Sequence, residues 1–395
     1  MFLKKINFKN FLVFLTIIAS GVPIINYYFN DFYKDLFLII ILLINIFFSI
    51  NKKLNIGKTD ILFFIIFFIL IILHYLKFGN LVIVASIGFI INITIAFLNV
   101  KIIKNFSEIY IKIIYYISII SLLFYFSYVV AGIKFGVQLN DISYHNFFYH
   151  YKLEGLNYFR NCGPFWEPGA FAGYLVLALF LILRDFEKIN KKIFIFISIA
   201  LITTFSTTGY ISYFLILIIM LLKKKIIYFD NNKFYGPIFV IIIISILGVY
   251  FYNEFDLLSN KINLQFEASQ YQLKNYQSNR IGNFLYDLYF IKINPIYGLS
   301  ANIDVRNLYD PLASDIIFNQ GNALSGFTVR FGLIGILTIL YFFTYSVFNS
   351  TKSYSVTFVS IILLCSLLFS EKYLNFPLFF ILFFLNNDFN KKMLE

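Results

Sequence analysis

Long apolar runs, too many for one water-soluble core, are what this chain must accommodate. A helix that crosses the hydrocarbon of a bilayer needs roughly 20 mostly apolar residues. Runs of that kind lie near 10–29, 35–50, 60–76, 81–99, 113–131, 168–183, 193–206, 208–222, 236–252, 327–349, 355–370 and 374–388. Only 13% of the residues are charged while 60% are hydrophobic, so a soluble fold could not keep its apolar side chains out of water. The expectation is an all-α integral membrane protein of about 12 transmembrane helices, a single polytopic domain over residues 1–395.

The net charge of +12 would suit nucleic acid if it were gathered on a soluble face. Instead the cations form short clusters between apolar runs: Lys52, Lys53 and Lys58; Lys101, Lys104 and Lys112; Arg184, Lys188, Lys191 and Lys192; Lys223–Lys225 with Lys233. With the N-terminus inside, every cluster falls on the inner side, together with Lys391 and Lys392 of the tail. Both termini are then expected in the cytoplasm. Lys4, Lys5 and Lys9 before an apolar stretch ending at Ala19-Ser20-Gly21 look like a cleavable signal, but apolar and aromatic residues continue to Phe29, which reads as an uncleaved first helix. The stretch 193–222 has basic flanks at both ends, so it must fold back near Ser206-Thr207-Thr208-Gly209. Cys162 and Cys365 lie in a polar loop and an apolar run, and imply neither a disulfide nor a metal site.

Two long polar segments, near 132–167 and 253–326, fall on the outer side. Their presence, with few ionisable residues inside the spans, moves the chemistry from the membrane midplane to the outer face. His74 is the main exception, and a lone histidine near a helix end reads first as a satisfied interface residue. Asp141, His145 and His150 match no metal-ligand spacing, and no phosphate-cradling loop, nucleotide fingerprint or nucleophile elbow occurs. No metal and no cofactor is expected.

Four constellations remain. In Trp166-Glu167-Pro168-Gly169, Pro168 suits the first position of a helix, which makes Glu167 its N-cap. Glu167 reads equally as a general base held ionised by the helix end or as an interfacial charge beside Trp166. Gly169 and Gly173 fit a close helix–helix contact. Ile281, Phe284, Leu285 and Leu288 recur at helical spacing, so 279–291 is expected as an amphipathic helix opened by Arg280, a phosphate ligand or a headgroup anchor. Arg330 lies about a turn inside its helix, where a cation must pair, face a cavity or snorkel outward.

The segments RNCGPFWEPGAFAGY (160–174), STTGY (206–210), Arg280 with NPIYGLS (294–300), and GNALSGFTVRFGLIG (321–335) resemble, in order and membrane side, the O-antigen and exopolysaccharide polymerases of the Wzy type, relatives of the O-antigen ligases. The likeness covers about 155 to 335; the first five helices match in hydropathy alone. It implies a C-type glycosyltransferase-like fold in the bacterial inner membrane with two large periplasmic loops. The implied reaction joins oligosaccharide repeat units carried on undecaprenyl diphosphate, with no nucleotide sugar. It further implies that Arg160, Arg280 and Arg330 hold the diphosphate and that Glu167 takes the acceptor's proton. Membrane lipid and a chain-length regulator are the other partners it suggests; nucleic acid is not one. Gly321 stands where ligases of the family often carry a histidine, which favours polymerase over ligase. A lipid-linked oligosaccharide flippase is the alternative from another class.

Overall fold

The computed structural model describes residues 8–21, 31–50, 52, 54–133, 137–139, 142–145, 148–152, 159–186, 190–223, 280–310 and 322–385. The expected helix near 236–252, about half of the segment 253–326, Asp141, Gly321 and the lysines of the tail lie outside them. The described chain is mostly helical: α1 (Phe8–Ala19), α2 (Asp31–Ile50), α3 (Lys58–Phe78), α4 (Ile83–Ile102), α5 (Phe106–Val129), α6 (Pro168–Asp185), α7 (Lys191–Ile202), α8 (Thr207–Lys223), α9 (Arg280–Ile293), α10 (Asp304–Asn307), α11 (Ala323–Thr351), α12 (Tyr354–Ser370) and α13 (Pro377–Phe384). Four stretches are long and apolar enough to cross a membrane: Lys58–Ile102, Phe106–Val129, Pro168–Asp185 and Ala323–Thr351. The first is a hairpin, because Lys101 Nζ returns to within 2.7 Å of Asp60 across the 3-10 turn at Gly79–Val82.

Helix α6 is the axis of the bundle. It is apolar on all sides and every residue from Pro168 to Asp185 is buried, the signature of a helix with no solvent or lipid face. Helices α5, α7, α8 and α11 pack around it, and α12 packs against α8 and α11. The described basic flanks gather at one end, as their spacing predicts. There Lys52 donates to the Ile102 carbonyl, Lys223 to those of Leu183 and Phe186, and Arg184 pairs with Asp185 at 2.6 Å. The other end carries the turns 79–82, 160–167, 203–206, 294–300 and 370–376.

Several expectations change. The first loop carries short strands, within a described chain that is otherwise mostly helical, as expected of a helical membrane protein. Four short strands, β1 (Val137–Leu139), β2 (Ile142–His145), β3 (Phe148–Lys152) and β4 (Phe159–Gly163), form an antiparallel meander with neighbours paired in sequence order. The dense aromatic residues of this segment, which would also suit a membrane interface, are good strand formers. In β3, His150 is buried with its ring against those of Tyr125 and Tyr128, and among the described residues no three metal-ligating side chains gather. Helix α1 stops at Ala19, well short of 29, because Gly21 takes φ 103° and Trp166 occupies the space beside it. The fold-back of 193–222 is present: α7 and α8 meet at a turn through Phe205, which adopts φ 47°.

Helix α11 is two helices joined at Gly332 (φ 63°, ψ −168°). A break inside an apolar bundle leaves carbonyls above and amides below it without partners. The segment 294–300 satisfies both. Leu299 and Ser300 N–H donate to the Val329 and Arg330 carbonyls at 2.7 and 2.9 Å, while the Leu333 and Ile334 amides donate to Pro295 and Ile296 at 2.8 and 3.1 Å. Gly298 (φ 78°) faces Gly332 so closely that a Cβ on either would strike the backbone opposite. His74, buried in α3, donates through Nε2 to the Tyr297 carbonyl at 2.6 Å and holds the segment from the far side. An alanine at 332 adds backbone strain and a clash, a cost of about 1–3 kcal/mol or more. Gly332→Ala is therefore expected to lower the thermal midpoint of the detergent-solubilised protein by several degrees. Ile334→Ala, which keeps the amide, should lower it by less. Equal midpoints for wild type and Gly332→Ala would disprove the junction.

Candidate functional site

The burial of α6 carries its N-cap into the protein. Glu167 has extended backbone (φ −157°, ψ 163°) and caps no amide with its side chain, while Pro168 opens the helix as expected. Its carboxylate turns instead to the link between α12 and α13. There Glu371, 1% exposed, is hydrogen-bonded to Glu167 and accepts from Arg280 Nη2 at 2.6 Å. Trp166 Nε1 donates to Glu167 Oε1 at 3.3 Å. Three elements distant in sequence, the start of α6, the start of α9 and the 371–376 link, thus meet at one ion cluster.

Small residues make the meeting possible. A Cβ on Gly169 would lie 2.5 Å from Glu371 Oε1, and one on Gly173 would occupy the place of the Tyr373 hydroxyl. That hydroxyl donates to the Gly169 carbonyl at 2.9 Å, and the Tyr373 ring stacks on Phe379 at 4.1 Å. The glycine pair serves close packing, as its spacing predicts, but against the link 371–373 and not against a second helix.

Electrostatics divides the two carboxyls. Burial pushes Glu371 well above the usual carboxylate range, and the negative charge of Glu167 pushes it further than Arg280 pulls it back. Burial also raises Glu167, but the hydrogen bond from Glu371 and the charge of Arg280, with Trp166 and Arg160 adding to them, bring it below its ordinary value. The two shifts run in opposite directions, so of the pair Glu371 holds its proton more tightly and Glu167 ionises first. A neutral acid, a carboxylate and a guanidinium side by side can deprotonate a hydroxyl and stabilise a departing oxyanion without a metal.

The remaining arginines take different places. Arg160, on β4, donates through Nε to the Thr204 carbonyl at 3.1 Å, and its neighbour Asn161 binds Thr203, so the sheet is tied to the α7–α8 turn. Its charge reaches Glu167. The hydroxyls of 203–208 mostly serve their own turn, Thr203 and Thr204 bonding back to Ala200 and Leu201, and Ser206 accepting from the Gly209 amide. Arg330 neither snorkels nor joins the carboxyl cluster; its Nη1 donates to Asn375 Oδ1 at 2.6 Å beside a small cavity. Arg280, read as a phosphate ligand or a headgroup anchor, gives Nη2 to Glu371 and stays partly exposed. Asp287, seven residues after Arg280 on α9, is buried; it accepts from Ser325 Oγ at 2.6 Å and from Arg306 at 3.4 Å, locking α9 to α11.

Sequence reasoning missed Glu371, Lys372, Asn375 and Arg306. The link Glu371-Lys372-Tyr373-Leu374-Asn375 reads as a short turn between two apolar runs, and only its two adjacent charges at the outer face hint at more. Burial and Arg330 lower Lys372, and Glu371 and Glu167 oppose them. No family model matches the chain, and no curated protein is significantly similar to it.

Glu371 ionises in the usual carboxylate range when unfolded and stays protonated to higher pH when folded, so it costs stability as pH rises between those values. Glu167 is shifted the other way, so its own contribution to the pH dependence falls on the acid side of that window. The thermal midpoint of Glu371→Gln should therefore fall less than that of wild type between about pH 5 and pH 8, while Glu371→Ala is less stable at both. Parallel curves for wild type and Glu371→Gln would mean that Glu371 is ionised in the fold.

Proposed function

We propose that the protein is a membrane-embedded glycosyltransferase of the polysaccharide-polymerase type, with about 12 passes, both termini cytoplasmic and its reaction on the periplasmic side of a bacterial inner membrane. The observation that supports this best is the Glu167–Glu371–Arg280 cluster at the end of the bundle opposite the basic flanks. It offers a base and an oxyanion partner within reach of a substrate lying at the membrane surface.

The donor in this reading is an oligosaccharide on undecaprenyl diphosphate. The hydroxyl oxygen of the next lipid-linked unit attacks the anomeric carbon of the growing chain, and Glu167 takes that hydroxyl's proton. The bond from the anomeric carbon to the phosphate oxygen breaks, and the lipid diphosphate leaves as an anion. Arg280, 23% exposed in its side chain, has donors on its planar fork beyond the one given to Glu371, and these meet the leaving group. Glu371 positions both. Arg160 adds positive potential from behind Glu167, its Nε already given to Thr204. The activated diphosphate bond drives the transfer, in keeping with a sequence that carries no nucleotide fingerprint.

In cells that make the cognate surface polysaccharide, deletion of the gene should collapse the gel ladder to core plus one repeat. Wild type should restore the ladder. Glu167→Gln should restore about 10²–10⁴-fold less polymerisation, and Arg280→Ala a comparable fraction, with both proteins still in the membrane. Wild-type chain length from Glu167→Gln would remove it as the base. Long polymer accumulating on the lipid carrier after deletion would indicate a ligase, and repeats trapped on the cytoplasmic side a flippase.

A further inference from the structure

The basic end of the bundle holds a cavity of its own, at the opposite pole from the carboxyl cluster. It has a volume of about 360 Å³ and lies between the start of α3 (Gly57, Lys58, Thr59), the last turns of α11 (Tyr345, Ser346, Asn349) and Leu385 at the end of α13. Ligand pockets begin at about 300 Å³, so the space suits a headgroup rather than a single water.

The acceptors around it are taken and the donors are left over. Buried Ser346 accepts from Arg184 at 3.4 Å and donates to the Leu385 carbonyl at 2.8 Å. Asn349 Oδ1 accepts from Lys352 Nζ at 3.3 Å, which brings a second ammonium to the rim beside that of Lys58. Gly57 has no side chain with which to cap α3, and its own amide goes to Asp60 at 2.8 Å. The first-turn amides of Lys58 and Thr59 therefore keep no acceptor within the helix. Among the described residues the carboxylates of this end are engaged: Asp60 with Lys101 at 2.7 Å, Asp185 with Arg184 at 2.6 Å and Glu108 with Lys112 at 2.8 Å.

Towards the middle of the helices the same two walls become apolar and open. Leu62, Ile65 and Ile69 follow Lys58 at helical spacing on α3, and Tyr341 and Leu337 precede Tyr345 on α11; all five are exposed. The rings of Tyr341 and Tyr345 stack at 6.4 Å, an exposed tyrosine pair of the kind that marks headgroup level. Both helices belong to stretches long and apolar enough to cross a membrane. Cationic donors above and exposed hydrocarbon below match a phospholipid, whereas a free phosphate would use only the upper half.

We propose that this cavity seats the phosphodiester headgroup of an anionic phospholipid from the leaflet at the basic end, with its acyl chains on the exposed faces of α3 and α11. Basic pockets between transmembrane helices bind such headgroups. The lipid bridges α3, α11 and α13, and through Ser346 it reaches Arg184 at the inner end of α6. The inference uses neither the carboxyl cluster nor the transferase reading.

The test is the thermal midpoint of the full chain in detergent micelles, titrated with phosphatidylglycerol, with phosphatidylcholine and, without lipid, with inorganic phosphate. Phosphatidylglycerol should raise the wild-type midpoint saturably, and the other two should not. Lys58 and Lys352 are exposed, so the double variant Lys58→Gln, Lys352→Gln keeps the fold; it should need about tenfold more phosphatidylglycerol for the same rise. Lys191→Gln with Lys192→Gln removes as much exposed charge at the same end but outside the cavity, and should respond as wild type does. An equal loss in both double variants would reduce the effect to general surface charge and overturn the site. So would no response in wild type, an equal response to phosphatidylcholine, or an undiminished response in Lys58→Gln, Lys352→Gln. A response to inorganic phosphate as large as that to phosphatidylglycerol would overturn the lipid in favour of a soluble phosphate compound.

Discussion

A carboxylate drawn into the interior of a helical bundle must find a proton, a cation or a set of donors, and much of this architecture follows from where α6 carries Glu167. The helix is buried along its whole length, so the residue that precedes it cannot retreat to water. Glu371 answers with a proton, Arg280 with a charge and Trp166 with an N–H. To bring those partners in, the link 371–376 must lie against the first turns of α6, and Gly169 and Gly173 leave the space. An arrangement that burial alone would make unfavourable becomes a triad with no net charge, in which one acid is kept neutral so that the other can remain an anion.

Among the described residues, four arginines at this end are held in fixed positions. Arg306 is matched by Asp287 and Arg280 by the carboxyl pair, whereas Arg330 is held by an amide. On such rigid supports they would meet the anion of the proposed reaction without rearranging first. The ties from β4 to the α7–α8 turn and from α9 to α11 look remote from this, yet they set the angles at which Arg160 and Arg280 approach.

What the sequence discloses is set by how local the signal is. Apolar runs and flanking lysines are local, and most described helices, together with the fold-back at 203–206, lie near their expected places. Glu167 as an N-cap before Pro168 is also local, and so is the amphipathic helix that Arg280 opens. The partners of these residues are not local. Glu371 stands about half the chain's length from Glu167, and nothing near it marks it as more than a polar turn. Arg330 is legible as a cation in need of a cavity, but not that Lys372 and Asn375 would form the cavity with it. The β-meander escapes a sequence reading because strand-forming aromatics and membrane-interface aromatics are the same residues.

The junction at Gly332 has a different sort of consequence. Four main-chain hydrogen bonds hold segment 294–300 in the break of α11, and main-chain groups are common to nearly every amino acid. What the junction demands of the genetic text is little more than the lack of a side chain at 298 and at 332. Most codons around it are therefore at liberty to drift, and a lineage could rewrite the surrounding residues while Arg330 stayed in its place.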